Sequence, residues 1–180
     1  MRIERDYLVA LLWGFAEATL FFIVPDVWLT LLALKGTKRA IVGSFYAALG
    51  ALIGGSIMYL WGHMDPNTAL AAMDMVPAIS QGLMERVRGE LSSMGLLALF
   101  VGPFSGAPYK LYAVLSGAMG VPLILFALIS IPARLIRFVL LSVVAGAIAR
   151  RVPLSAGQKA LITLSLWAVF YAFFFALMPD

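Results

Sequence analysis

The chain has 180 residues, of which 63% are hydrophobic and only 12% charged. A water-soluble domain carries about 45–50% apolar and about 25% charged residues, so there is too little polar surface here to coat a soluble globule, and lipid is the expected solvent. The net charge of +4 does not point to nucleic acid, because the 13 Lys and Arg sit at the ends of apolar runs; with no cysteine, disulfides, thiol catalysis and thiolate metal sites are excluded.

The length is that of one domain, and five apolar stretches divide it, at 7–34, 40–61, 95–119, 121–149 and 161–177. The start, MRIERD, leads into a run that carries Glu17 and lacks a small-x-small cleavage site, so it reads as an uncleaved membrane segment. Stretches 40–61, 121–149 and 161–177 read as spanning helices, since about 17–25 apolar residues cross the hydrocarbon core. Stretch 7–34 is broken at Val24-Pro25-Asp26, and 95–119 at Gly102-Pro103 and Gly106-Ala107-Pro108. Proline lacks an amide donor and clashes with the preceding turn, so a helix tends to stop there. The piece left after Pro25 is about 12 Å long, too short for a crossing of about 30 Å. Both broken stretches therefore read as re-entrant hairpins, and non-helical backbone at membrane depth requires a polar cavity beside it.

Charge placement agrees with that topology. With both hairpins re-entrant, Arg2, Arg5, Lys35, Lys38, Arg39, Arg150, Arg151 and Lys159 face the cytoplasm, as does the N-terminus, and Arg86 and Arg88 lie outside. If all five stretches spanned, the best split would be seven to three, with the 35–39 basic cluster outside. Hairpin then span occurs twice, at 7–61 and 95–149, and an odd number of crossings inverts the second unit. The expected fold class is an all-α integral membrane protein of two inverted-repeat units and a C-terminal span, an arrangement that builds a midplane site in transporters. Between the units, 66–94 is polar. Val76, Ile79, Leu83, Val87 and Leu91 recur there at helical spacing, which predicts an external amphipathic helix lying on the membrane or packed on the mouth of the protein.

Five ionisable residues fall inside apolar stretches: Glu17, Asp26, Lys110, Arg134 and Arg137. A charge at the bilayer centre costs at least about 2.5–3.5 kcal/mol, so such residues are rarely idle. Arg134 lies near the middle of its span and Arg137 follows one turn later on the same face. They are candidate headgroup or substrate ligands; alternatively, they form buried ion pairs with Glu17 or Asp26 that lock a hairpin in place. Glu17, pulled in opposite directions by burial and by any nearby arginine, is a candidate for proton coupling or gating. Asp26 shares that role or caps the helix after Pro25. Lys110, after Pro108 and Tyr109, corresponds in place to Asp26 and suits a phosphate or carboxylate, helped by half-helix N-termini; its alternative is snorkelling to the interface. Three cations against two anions leave one positive charge for an anionic ligand. Gly50, Gly54 and Gly55 form a close-packing face that also permits a homodimer. His63 reads as a boundary residue. No phosphate loop, Ser/His/Asp set or metal spacing occurs, so neither enzymatic chemistry nor a cofactor or metal is expected.

Three motifs carry a family resemblance: F-A-E-A-T-L-F-F-I-V-P-D at 15–26, G-P-F-S-G-A-P-Y-K-L-Y-A-V-L-S-G-A-M-G-V-P-L-I-L-F at 102–126, and A-R-L-I-R-F at 133–138. Together they resemble the DedA family of bacterial inner-membrane proteins, related to the eukaryotic VTT (SNARE-associated-domain) proteins, over residues 10–150. Two features depart from the family pattern. No glycine separates Pro25 from Asp26, and of the family's two hairpin arginines the first has no counterpart near Gly102 while the second is Lys110, which cannot form a bidentate phosphate fork. The resemblance implies facing re-entrant hairpins and movement of phospholipid or undecaprenyl phosphate between leaflets, with proton coupling proposed for some members. Two other readings share the sequence features: a proton-coupled transporter of a small soluble solute, and a non-transporting membrane assembly subunit.

Overall fold

The computed structural model describes residues 2–177; the side chains of 2–4 and 103–105 lie outside the described set. Every regular element of the described chain is a helix: α1 (Arg2–Glu17), α2 (Asp26–Lys35), α3 (Thr37–Met64), α4 (Pro66–Asp74), α5 (Gln81–Met94), a 3-10 turn (Gly95–Leu97), α6 (Ala98–Ser105), α7 (Tyr109–Ala118), α8 (Leu123–Arg151) and α9 (Ala156–Leu177). Three of these, α3, α8 and α9, are long and apolar enough to cross a membrane. Each runs a few residues beyond the apolar stretch that predicted it, because polar residues at the ends continue the helix. Large apolar side chains point outward along all three, among them Phe45 and Ile53 on α3, Ile124 and Ile148 on α8, and Leu161 and Phe173 on α9. So much exposed apolar surface marks a lipid-facing belt.

The first broken stretch folds back on itself. Lys35 at the end of α2 lies 3.1 Å from the carboxylate of Asp6 near the start of α1, and Trp28 donates to the Asp6 carbonyl at 3.0 Å. The break is longer than the proline signal predicted, since α1 already stops at Glu17 and residues 18–25 are non-helical. Partners outside the helix ladder explain the early stop. Trp13 donates to the Ile23 carbonyl at 3.0 Å, Lys110 donates to the Phe21 carbonyl, and the Val24 amide donates to the Tyr171 hydroxyl at 2.8 Å. Backbone groups so satisfied no longer need the helix.

The second hairpin turns at Gly106-Ala107-Pro108, between α6 and α7. Pro103, predicted as a break, does not end α6, which runs on to Ser105; its side chain lies outside the described residues. At 8 and 10 residues, α6 and α7 are about 12 and 15 Å long, and neither reaches across a core of about 30 Å.

Both hairpins are seated on α3 at backbone contact. A Cβ at Gly50 would fall 1.9 Å from the Leu11 carbonyl oxygen of α1, and one at Gly117 of α7 would fall 2.0 Å from the Tyr59 carbonyl oxygen of α3. The glycine face is thus filled from within the chain, by α1 and by the Tyr109 ring, and is not free to pair two copies. α8 closes the other side of α3, with a hydrogen bond of 2.9 Å between the buried Ser44 and Ser142 hydroxyls.

The polar segment 66–94 forms two helices instead of one. Asp65 caps α4 by accepting from the Thr68 amide at 3.2 Å, and Ser80 caps α5 by accepting from the Leu83 amide at 3.2 Å. Residues 75–80 bend between them, with Ala78 at a φ of 74°. Val76, Ile79, Val87 and Leu91 are all buried in the protein's own core beside Met73, Leu111 and Leu115. Of the two readings of this apolar face, the one packed on the protein is observed. His63 lies 3.3 Å from the Gly117 carbonyl, tying the end of α3 to α7.

Candidate functional site

The two hairpin tips meet against the middle of α8, and the five ionisable residues converge there. Glu17 ends α1, Asp26 begins α2, Lys110 is in the first turn of α7, and Arg134 and Arg137 stand one turn apart on α8. Glu17, Asp26, Lys110 and Arg134 are all buried, at 3%, 4%, 1% and 2% exposure. Arg134 donates to Glu17, and Arg137, less deeply buried, donates to Asp26. Of the two roles expected for the arginines, the ion pairs with the hairpin acids are therefore present. The helix cap expected of Asp26 is not: α2 has no side-chain cap, and Asp26 turns one oxygen to Arg137 while the other has no partner among the described residues.

The arginines differ in depth. Arg134 is sandwiched between aromatic rings, its guanidinium carbon 4.8 Å from the centre of Tyr109 and 4.6 Å from that of Phe138. Desolvated cation–π contacts contribute about 2 kcal/mol each, so this arginine is held from two sides as well as by Glu17. Arg137 instead borders a cavity of ≈ 180 Å³, together with Glu17, Asp26, Tyr109 and Lys110. Arg134 does not border it. The pair predicted to act together is thus divided into one arginine beneath the cavity and one on its wall.

Lys110 is the unmatched charge. Its ammonium group donates to the Phe21 carbonyl, and among the described residues it makes no ion pair. Two carboxylates each hold an arginine, so the cavity keeps one cation that forms no ion pair among the described residues. An ammonium group has three donors, and a carbonyl uses one of them. The cavity wall also carries a buried polar atom with no partner among the described residues, the second oxygen of Asp26. Leaving such an atom unsatisfied costs about 1–3 kcal/mol.

Several wall residues were not singled out from the sequence. α9 contributes Trp167, Phe170, Tyr171 and Phe174, and the bend between α4 and α5 contributes Pro77 and Ala78, beside Val76 and Ile79, which the sequence marked only as part of an apolar helical face. The α9 aromatics recur at spacings of three and four, a periodic signal inside a stretch that read simply as a span. Tyr109 lay inside a quoted motif without a role, although it separates Arg134 from the cavity.

No family model and no solved structure matches the chain. Two curated proteins are similar to it. An uncharacterized protein of Haemophilus influenzae strain Rd is 31% identical over 138 residues, covering 74% of this chain and 68% of that protein. The chain belongs to the family of that protein. A second relative, the HI0703 homologue of Histophilus somni, also described as uncharacterized, is 32% identical over 134 residues, 72% of this chain. The match spans 66% of that relative's length, just under two thirds.

Proposed function

We propose that the chain is a DedA-like membrane transporter that moves an anionic lipid, a phospholipid or undecaprenyl phosphate, between leaflets. The observation that carries this reading is Lys110, a buried cation that borders the cavity and forms no ion pair among the described residues. In a low-dielectric site an unneutralised ammonium attracts an anion far more strongly than in water. Arg137, on the same wall, is the second contact for a phosphate, while Arg134 and Glu17 hold the hairpins to α8. The second Asp26 oxygen, without a partner among the described residues, is where a bound headgroup or proton finds a further partner.

In this proposal the two hairpins are re-entrant and related as inverted repeats, in a bacterial inner membrane with the N-terminus cytoplasmic. The Asp6–Lys35 pair supports the first hairpin, because it brings both ends of 7–34 to one side. The brevity of α6 and α7 supports the second.

The test is leaflet exchange of a fluorescent anionic phospholipid in liposomes containing the purified chain. Exchange above empty liposomes that falls about tenfold or more in Lys110→Gln is expected, the worth of one charge-assisted contact. Exchange indistinguishable from empty liposomes, or unaffected by Lys110→Gln, contradicts the proposal. A second reading has an observation of its own: four of the five charges gathered at the hairpin tips neutralise one another, as in a non-transporting assembly subunit. Stability loss with unchanged exchange in Glu17→Gln favours it.

A further inference from the structure

α8 and α9 are consecutive and joined by four residues, yet α9 rests on α2 instead of on α8. No residue of α9 is fully buried. Its half-buried positions are Lys159, Ala160, Thr163, Trp167, Tyr171 and Phe174, of which Trp167 and Tyr171 bond to the first hairpin. The gap left between α8 and α9 is a groove of ≈ 230 Å³ whose walls include Leu34, Ala145, Ile148, Ile162 and Leu166. Apolar walls in a lipid-facing gap are filled by chains, because an empty gap forfeits dispersion contacts on both sides.

One end of this groove is positively charged. Lys159 lines it and donates to the Ala149 carbonyl at 2.7 Å, which leaves two of its ammonium protons for other acceptors. Arg150 and Arg151 end α8 directly before Val152 of the groove wall, and Arg150 donates to Thr37 at the start of α3. No Asp or Glu occurs between Glu90 and Asp180, so neither α8 nor α9 offers a counter-charge. An apolar slot with cations at one end is complementary to an acyl chain that ends in an anionic headgroup.

The groove is distinct from the charged cavity. Thr30 lines the groove, Trp167 lines the cavity, and the Trp167 indole donates to the Thr30 hydroxyl at 3.0 Å between them. We infer that this groove is a second, lateral lipid site, occupied by one acyl chain of an anionic membrane phospholipid whose phosphate sits on Lys159. The site does not depend on transport through the cavity: it binds lipid whether or not lipid crosses.

Its test uses the intact chain in phosphatidylcholine vesicles doped with phospholipid carrying brominated acyl chains, which quench nearby tryptophan. The Trp167 part of the emission is the part lost in Trp167→Phe. That part is quenched by brominated phosphatidylglycerol at a several-fold lower mole fraction than by brominated phosphatidylcholine. The half-buried Lys159 tolerates Lys159→Gln, which removes the preference. Equal quenching by the two lipids in the unaltered chain overturns the inference. A preference that survives Lys159→Gln but falls in Lys110→Gln also overturns it, because the lipid then sits in the charged cavity and the transport proposal stands without the groove.

Discussion

The two hairpins sit on α3 in the same way and carry opposite charge to the same place. α1 meets α3 at Gly50 and α7 meets it at Gly117, in both cases with backbone against backbone. The first tip brings Glu17 and Asp26, and each is matched by an arginine of α8. The second tip brings Lys110, matched among the described residues by a carbonyl of the first tip. The difference separates two uses of buried charge. A matched pair fixes one element to another and has little attraction left for a ligand. An unmatched charge adds little to the fold and remains available.

That contrast is open to several perturbations, and the largest effect belongs to the matched pairs. Arg134→Ala leaves Glu17 buried without its partner, at a cost of about 3–5 kcal/mol. A thermal unfolding midpoint in detergent measures it, and the double variant with Glu17→Gln recovers part of the loss. No recovery breaks the idea that the pair acts as a unit. Next, Gly50→Ala forces α1 away from α3, and overpacking of this kind costs about 1–3 kcal/mol. Lys110→Gln sharpens the comparison from the other side, since it removes a charge that forms no ion pair among the described residues. Its unfolding midpoint stays closer to the parent than that of Arg134→Ala. A larger loss than Arg134→Ala would make Lys110 structural. The smallest effect is expected for Tyr171→Phe, which deletes the hydroxyl that accepts from Val24. The loss is about 0.5–1.5 kcal/mol, visible as faster amide exchange at Val24.

Much of this architecture was legible in the sequence. Runs of apolar residues marked α3, α8 and α9, and Pro25 and Pro108 marked two interruptions. The extent of the interruptions was not legible, because α1 stops where Glu17, Phe21 and Ile23 find partners on distant elements and not where the proline lies. Depth alone identified the five ionisable residues. Their pairing joins positions more than a hundred residues apart, so no local spacing could assign Glu17 to Arg134 and Asp26 to Arg137. The cap expected of Asp26 is not made because α2 begins at Asp26 itself, with Pro25 in the capping position. The aromatic stripe of α9 was visible as a periodicity, but what it faced was set by the fold.

The most direct measurement compares leaflet exchange of fluorescent phosphatidylglycerol and phosphatidylcholine in liposomes containing the unaltered chain, Lys110→Gln or Lys110→Arg. If the unmatched cation recruits the headgroup, the unaltered chain exchanges the anionic lipid faster. Lys110→Gln then brings the two rates together, and Lys110→Arg retains the preference. Equal rates for both lipids in the unaltered chain, or a preference that persists in Lys110→Gln, would contradict the role given to Lys110.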